Sequence, residues 1–236
     1  MAAARTQRPD RAARTQQPDR AARTQQQRRE ATRAKLLAAT TACLIEHGYA
    51  GTTVGRVCKR AGVSSGGLFA HFDSKAELVA TAAAEILRRS REDAVADFLT
   101  AEHTDPVGDA VAVAWRLYRR HDLRAALELF VVGRTDPELA QHLDAADVLH
   151  REQLAVLIGQ MLPGVADHPD FDDTVELVLA TMFGLSLDVG TVRSAELRDR
   201  EVALLTDMVR GRLTNGGATS ERRGRDASGM AGGSEK

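Results

Sequence analysis

Apolar residues recur three and four positions apart along most of the chain, and this spacing restricts the fold more than any other feature. The series Val107, Val111, Trp115 and Tyr118, for example, lies on a single helical face. Such spacing predicts amphipathic helices. No segment shows the sustained alternation of apolar and polar residues that is typical of half-buried strands. The sequence therefore predicts an all-α protein.

Breaks between the apolar faces divide the chain into successive predicted helices. The first ends at Gly48, two short helices follow on either side of Gly62, and a long one starts at Asp73-Ser74. Thr52 or Thr53 is suited to cap the second helix, and Ser64 the third. The later helices are predicted near residues 107–118, 123–131, 136–162, 171–189 and 195–213.

Charge is distributed unevenly, although the formal net charge is only −1. Residues 1–62 contain 13 Lys and Arg against 4 Asp and Glu, whereas residues 63–236 contain 19 against 29. A basic segment next to an acidic one indicates that the first part of the chain meets a polyanion. The nine aromatic residues are too few for a surface that binds nucleic acid by base stacking.

Composition also limits the setting in which the chain works. Two cysteines cannot form a disulfide framework, and no secretory signal is visible, so we expect a reducing cytoplasm. No run of about 18 apolar residues is present, so we expect no membrane partner.

Both ends of the chain are low in apolar residues. Residues 5–29 form an imperfect nine-residue repeat with eight arginines and two prolines. Without apolar side chains to bury, residues 1–27 are expected to be a disordered Arg-rich arm. The Gly- and Ser-rich residues 215–236 are expected to be a disordered tail.

The two short helices and the Gly62 turn between them predict a helix-turn-helix at about residues 53–71. In this motif the second helix enters the major groove of DNA, while the first crosses the backbone. Glycine suits the turn because it adopts left-handed backbone angles without strain. We expect Val57, Cys58, Val63, Leu68 and Phe72 to hold the small helices together.

The segment TTVGRVCKRAGVSSGGLFAHFDSKAELV, from Thr52 to Val79, resembles the signature of the TetR family of bacterial transcriptional regulators. The matching positions are Thr52, Thr53, Val54, Ala61, Gly62, Val63, Ser64, Gly66, Leu68, His71, Phe72, Ser74, Lys75 and Leu78. The resemblance covers about 50 residues. It implies a three-helix DNA-binding domain at residues 28–75, followed by a helical ligand-binding and dimerisation domain at residues 76–214.

The resemblance and the basic residues together define a candidate DNA-binding set. It comprises Arg28, Arg29, Thr53, Arg56, Lys59, Ser64, Ser65, Gly66, Gly67, Phe69, His71 and Lys75. In the family, Lys75 is placed to hold a backbone phosphate. The partner implied is double-stranded operator DNA.

This chain departs from the family pattern in the second short helix. Phe69 stands where the family has a tyrosine that bonds a phosphate, so we expect the packing to be kept and about 1 kcal/mol of hydrogen bonding to be lost. Gly67 follows Gly66, which weakens the helix by about 1 kcal/mol per glycine relative to alanine. No Arg, Lys, Asn or Gln lies between Gly62 and Phe72, so bidentate base contacts are unavailable there.

Because the second short helix offers few contacts to bases, the Arg-rich arm is a candidate for additional DNA contacts. Arg20, Arg23, Arg28 and Arg29 are expected either to add phosphate or minor-groove contacts or to form a solvated tail that only raises nonspecific affinity.

The resemblance also implies an effector cavity between the C-terminal helices. Its candidate lining residues are Trp115, Tyr118, Phe130, Met161, Met182 and Phe183, and core packing is the alternative for each of them. Residues 171–213 are expected to form a homodimer, because the segment 171–189 is apolar on nearly all sides and the family dimerises through its last two long helices.

The sequence gives little support for metal binding, cofactor binding or catalysis. The histidines, among them His142 and His150, lack metal-ligand spacing and are expected to lie at the surface or to cap helices. No cofactor motif or nucleophile elbow is present. We therefore predict a non-enzymatic transcriptional regulator, most often a repressor in this family, released from a palindromic operator by a small-molecule effector. A regulator without an effector, and a helical enzyme or carrier, are the alternatives.

Overall fold

The computed structural model describes residues 17–100, 102–187 and 195–215, and in these ranges the regular elements are all helices. Their bounds are α1 Gln17–Gly51, α2 Val54–Ala61, α3 Ser65–Phe69, α4 Lys75–Leu99, α5 Pro106–Tyr118, α6 His121–Gly133, α7 Pro137–Met161, α8 Phe171–Leu187 and α9 Ala195–Asn215. The predicted all-α fold and the order of its helices are confirmed.

The first helix begins earlier than the sequence predicts. Because α1 starts at Gln17, the expectation of disorder is wrong for residues 17–27. The reason is that Ala, Arg and Gln form helices well, that proline is tolerated in a first turn, and that extension from an anchored helix needs no new nucleus. Residues 1–16 and 216–236, also expected to be disordered, lie outside the described residues.

Gly48 marks the end of the regular part of α1. Its φ of 63° and ψ of −175° are not helical, so the chain bends there before α1 ends at Gly51. The predicted stop at Gly48 is therefore a kink. The bend directs Tyr49 and the start of α2 back toward the body of the protein.

Two hydrophobic cores share α4. The smaller core joins α1, α2, α3 and the first turn of α4, and its buried members are Leu36, Ala39, Cys43, Val57, Cys58, Leu68, Phe72 and Leu78. The larger core includes Leu44 of α1, runs along α4 from Ala76, and extends through α5 to α9. Since α4 belongs to both cores, it connects the small N-terminal unit to the C-terminal helices.

The C-terminal helices pack around α4 and α5. Helix α4 contacts α1, α5, α6 and α7, while α5 contacts α8 and α9. Across the described residues, no helix has both the length and the apolar character needed to cross a membrane.

Candidate DNA-binding site and internal cavity

Side-chain caps fix the two short helices of the N-terminal unit. The Thr53 Oγ1 accepts a hydrogen bond from the Arg56 N–H (3.3 Å), which caps α2 as predicted. Helix α2 ends at Gly62, whose φ of 67° is left-handed, and the turn leads directly to Ser64. The Ser64 Oγ accepts from the Gly67 N–H (3.1 Å) and caps α3. The predicted helix-turn-helix is thereby confirmed.

Close packing explains the second glycine of α3. A methyl group added at Gly67 would lie 2.8 Å from Val63 Cγ1 and 3.3 Å from the Ser64 Oγ, whereas one added at Gly66 would meet no atom within 4 Å. Gly67 is therefore needed for the contact between α3 and the turn before it. Gly66 faces open space on the outer side of α3.

Most of the candidate DNA-binding residues share one property, which is exposure to solvent. The exposed ones are Arg28, Arg29, Thr53, Arg56, Lys59, Ser64, Ser65, Gly66 and Phe69. Gly67, His71 and Lys75 are partly buried. Half of the Phe69 surface is exposed, whereas the adjacent Leu68 fills the core.

The basic residues of α2 differ in how their charges are held. Arg56 donates to the carbonyl of Gly51 (2.5 Å), and this neutral acceptor does not offset its positive charge. Arg60 donates to Glu46 (2.5 Å) and lowers the pKa of that carboxyl group. Arg56 and Lys59 therefore contribute more positive potential to this surface than Arg60 does.

Lys75 lies at the junction between the two parts of the molecule. Its Nζ donates to the Tyr49 carbonyl (3.0 Å) and lies 4.0 Å from the centre of the Tyr49 ring. Burial at this position lowers the Lys75 pKa. The Tyr49 hydroxyl in turn donates to Asp136 Oδ2 (2.7 Å), and the other oxygen of Asp136 caps α7 by accepting from the Leu139 N–H (3.0 Å).

These contacts, which we call the Tyr49 junction, join the ends of three helices. Tyr49 follows the kink of α1, Lys75 is the first residue of α4, and Asp136 precedes α7. The sequence analysis missed both Tyr49 and Asp136. The two residues are 87 positions apart, so local spacing gives no sign of their contact.

A cavity of about 110 Å³ lies inside the C-terminal helices. Helices α4 to α9 all contribute to its wall, which is mainly apolar. Of the six residues predicted to line it, Tyr118 and Met161 do so. Trp115, Phe130, Met182 and Phe183 lie outside the wall, in the larger core or packed against it, because their faces meet neighbouring helices.

A small polar group interrupts the apolar wall. Ser90, Arg91 and His150 line the cavity, and Arg91 Nη1 lies within hydrogen-bond distance of His150 Nδ1. The expectation that His150 is a surface or capping residue is wrong, because α7 turns it toward α4. One signal was available in the sequence, since Ser90 is a polar residue between Ile86 and Ala94 on the core face of α4.

The polar side chains of the cavity have altered titration properties. Burial, with a smaller contribution from the positive Arg91, lowers the pKa of His150 to about 4. Burial also raises the pKa of Tyr118 to about 12. Both groups are therefore neutral at physiological pH.

Helices α8 and α9 expose apolar residues in two stripes. Leu177, Ala180, Gly184 and Leu187 are exposed at helical spacing on α8, and Leu204, Met208 and Gly211 on α9. More than half of the surface of Leu177, Leu204 and Met208 is open to solvent. We call these residues the α8–α9 face, and they lie within the segment predicted to dimerise.

The remaining candidate groups are structural. Cys43 and Cys58 are buried in the smaller core, as predicted. In the described part of the chain, no three residues of the types that ligate metals form a cluster.

The sequence matches known regulators over the helix-turn-helix and well beyond it. A profile of "Bacterial regulatory proteins, tetR family" matches residues 36–82. The uncharacterised HTH-type transcriptional regulator Rv2912c of Mycobacterium tuberculosis is 34% identical over 185 residues, which cover 77% of this chain and 94% of that protein. The HTH-type transcriptional repressor AcnR of Corynebacterium diphtheriae is 32% identical over 136 residues, or 55% of this chain and 67% of AcnR.

Solved structures agree with the sequence matches. GusR of Salmonella enterica is 25% identical and superimposes with a TM-score of 0.57, over 78% of this chain and 95% of that one. Both sequence relatives are named as HTH-type transcriptional regulators or repressors. TetR regulators bind DNA and dimerise. With its helix-turn-helix and the extended similarity to Rv2912c, this chain belongs to the TetR family and is a transcriptional regulator.

Proposed function

We propose that this regulator is a homodimeric, cytoplasmic repressor that binds a palindromic operator and is released from it by a small molecule. The observation that carries the DNA-binding part is the exposed surface of α2 and α3. Ser65, Gly66 and Phe69 are presented to solvent there, beside the positive side chains of Arg56 and Lys59. The opposite faces of the same helices are fixed by buried Val57 and Leu68.

Recognition of the operator is proposed to depend on close contact and DNA shape more than on paired hydrogen bonds to bases. The side chains on the outside of α3 are small, apart from Phe69, so the backbone can approach the base edges closely. An exposed aromatic ring suits the thymine methyl group, which is an apolar feature of the major groove. Sequence-dependent deformability of the DNA supplies further selectivity without base contacts.

The basic N-terminal segment is proposed to bind phosphates or the minor groove. Arg28 and Arg29 are exposed on α1, and the helix continues from them back to Gln17. Helix α1 therefore places Arg28 and Arg29 at a defined distance from the helix-turn-helix. Each phosphate contact that forms releases counterions, so such contacts steepen the salt dependence of binding.

The homodimer is proposed to form through the α8–α9 face. Its exposed leucine and methionine side chains lie on adjacent helices that contact each other, and Gly184 and Gly211 leave room for close approach. Two copies of this face would form an isologous four-helix interface. A twofold dimer also matches the symmetry of a palindromic operator.

We propose that α7 transmits the effect of ligand binding from the cavity to the DNA-binding unit. The C-terminal half of this helix, from His150 to Met161, contributes to the cavity wall. The other end is capped by Asp136 and connected to Tyr49 beside the DNA-binding unit. A ligand that shifts α7 therefore changes the Tyr49 junction and with it the spacing of the two DNA-binding units. AcnR is named a repressor, which supports the proposal that this chain also represses transcription.

Selection of DNA fragments by the purified full-length protein tests the proposal. We expect enrichment of an inverted repeat, with an affinity that falls steeply as salt is raised. Absence of salt-dependent DNA binding would reject the proposal and favour a helical enzyme or carrier. Operator binding that no small molecule weakens would instead identify an effector-independent regulator.

A further inference from the structure

The cavity wall has an uneven distribution of polar groups. Ser90, Arg91 and His150 form a polar group on the facing helices α4 and α7, and apart from Thr174 and the Tyr118 hydroxyl the remaining wall is apolar. The lining contains one arginine and no aspartate or glutamate. The wall is therefore apolar with a single formal positive charge.

Arg91 carries that charge without a carboxylate partner. Its guanidinium bonds His150 through Nη1 and the Gln153 Oε1 through Nη2 (2.5 Å), and both partners are neutral. Among the described residues, no carboxylate lies at ion-pair distance from Arg91. A partly buried guanidinium stays protonated and is stabilised by an anion when one is within reach.

His150 provides a second donor at the same place. Because a guanidinium can only donate, the Nδ1 that faces Arg91 must accept. A neutral histidine whose Nδ1 accepts carries its proton on Nε2. The ring therefore contributes a neutral N–H donor and no competing negative charge.

Ser90 gives an independent indication of a bound polar atom. Only 5% of its surface is exposed, and its buried hydroxyl oxygen has no hydrogen-bond partner. A buried hydroxyl without a partner is costly and therefore unusual in a protein. Ser90 and Arg91 both line this cavity, so one acidic group inside it can accept hydrogen bonds from both residues.

We propose that the cavity binds a monocarboxylic acid with an apolar body, with its carboxylate held by Arg91, Ser90 and His150. The inference rests on the proposed function in taking this cavity as the effector site. The apolar wall contacts the body of the ligand, and the lone guanidinium selects for an anionic head. Organic cations are disfavoured, because the wall has a positive charge and no carboxylate to bind them.

A comparison of ligands with the same body and different heads tests this inference. Decanoate, 1-decanol and decylammonium are titrated into the full-length protein, with 2-naphthoate and 2-naphthol as a rigid pair, and binding is followed by calorimetry. We expect each acid to bind about tenfold or more tightly than its neutral counterpart, and decylammonium to bind more weakly than either decyl ligand. Equal affinity for acid and alcohol in both pairs would overturn the inference.

Variants then locate the site of the carboxylate. Arg91→Met keeps the length of the side chain and is expected to remove the preference for the acid while retaining binding of 1-decanol. The control is Arg89→Met, which removes an exposed arginine of the same helix that pairs with Glu85. Ser90→Ala is a second variant that is expected to fold normally, because the hydroxyl has no partner to lose. It should weaken decanoate binding several-fold, and unchanged decanoate affinity in both cavity variants would contradict the inference.

DNA binding separates this inference from the proposed function. Acid binding without any effect on operator affinity would reject the proposed release mechanism and leave the ligand class standing. Operator binding with no preference for acids over alcohols would reject the ligand class alone.

Discussion

The Tyr49 hydroxyl donates a 2.7 Å hydrogen bond to Asp136, and this contact joins the kinked end of α1 to the start of α7. Burial, followed by the hydrogen bond to Asp136, raises the pKa of Tyr49 to about 12. The same carboxylate caps α7, so one side chain orients both helices. Because the Tyr49 ring also lies against Lys75, the contact connects α4 to the same point.

The first prediction concerns this hydrogen bond. Tyr49→Phe keeps the ring against Lys75 but removes the hydroxyl, and Asp136→Asn keeps an oxygen that can cap α7. Each single variant is expected to lower the urea midpoint of unfolding. The double variant should be little worse than the poorer single variant, because both changes remove the same interaction. Additive losses would show that the two residues act independently.

The second prediction concerns the pH dependence of stability. In the unfolded chain His150 takes up a proton below its ordinary pKa of 6.5, whereas in the folded protein it does so only near pH 4. The unfolded state therefore binds more protons between these values, and the free energy of unfolding falls as the pH is lowered from 6.5 to 4. At about 1.4 kcal/mol per pH unit, His150 contributes up to about 3 kcal/mol of this loss.

His150→Gln tests that assignment, because glutamine retains an acceptor for Arg91 and does not titrate. Urea unfolding at several pH values between 4 and 6.5 should show a flatter dependence in this variant than in the wild type. His142→Gln is the matched control, since His142 is exposed on the same helix. The assignment fails if the two variants lose the same amount of pH dependence.

The sequence predicted the DNA-binding unit better than the cavity, for a physical reason. The caps formed by Thr53 and Ser64 and the left-handed turn at Gly62 depend on residues within a few positions, so their residue types report the structure. Apolar spacing correctly placed Trp115 and Met182 on buried faces. It did not distinguish a buried side chain that meets a neighbour from one that borders a void, because that depends on how distant helices pack.

The third prediction compares the adjacent glycines of α3. Gly66→Ala is expected to raise the thermal midpoint slightly, because alanine favours the helix and its methyl group meets no atom within 4 Å. Gly67→Ala forces a contact with Val63 and should destabilise the protein by about 1–3 kcal/mol. Calorimetric unfolding of both variants checks this. A Gly67→Ala variant at least as stable as Gly66→Ala would contradict the packing explanation.

The fourth prediction concerns the α8–α9 face. Leu204→Glu introduces a charge at a position that is 62% exposed in the protomer, so helicity should be retained while dimerisation is lost. Leu99→Glu is the control, because Leu99 is 72% exposed at the end of α4 and lies outside this face. Light scattering at micromolar concentration should find a monomer for the first variant and a dimer for the second. A wild-type monomer under these conditions would refute the proposed interface.

The fifth prediction concerns the two contacts available to Lys75. Held against Tyr49 in the free protein, its ammonium lies at the boundary of the DNA-binding unit, where a phosphate can replace the Tyr49 carbonyl as its acceptor. Lys75→Ala is therefore expected to weaken binding about equally across DNA sequences and to reduce the salt slope by about one. Arg116→Ala removes an exposed positive charge from α5, which lies outside the DNA-binding unit, and should leave the slope unchanged. Measurements of operator affinity against salt concentration decide between two roles for Lys75. If the unfolding midpoint falls while the salt slope is unchanged, Lys75 positions α1 through Tyr49 and does not bind a phosphate.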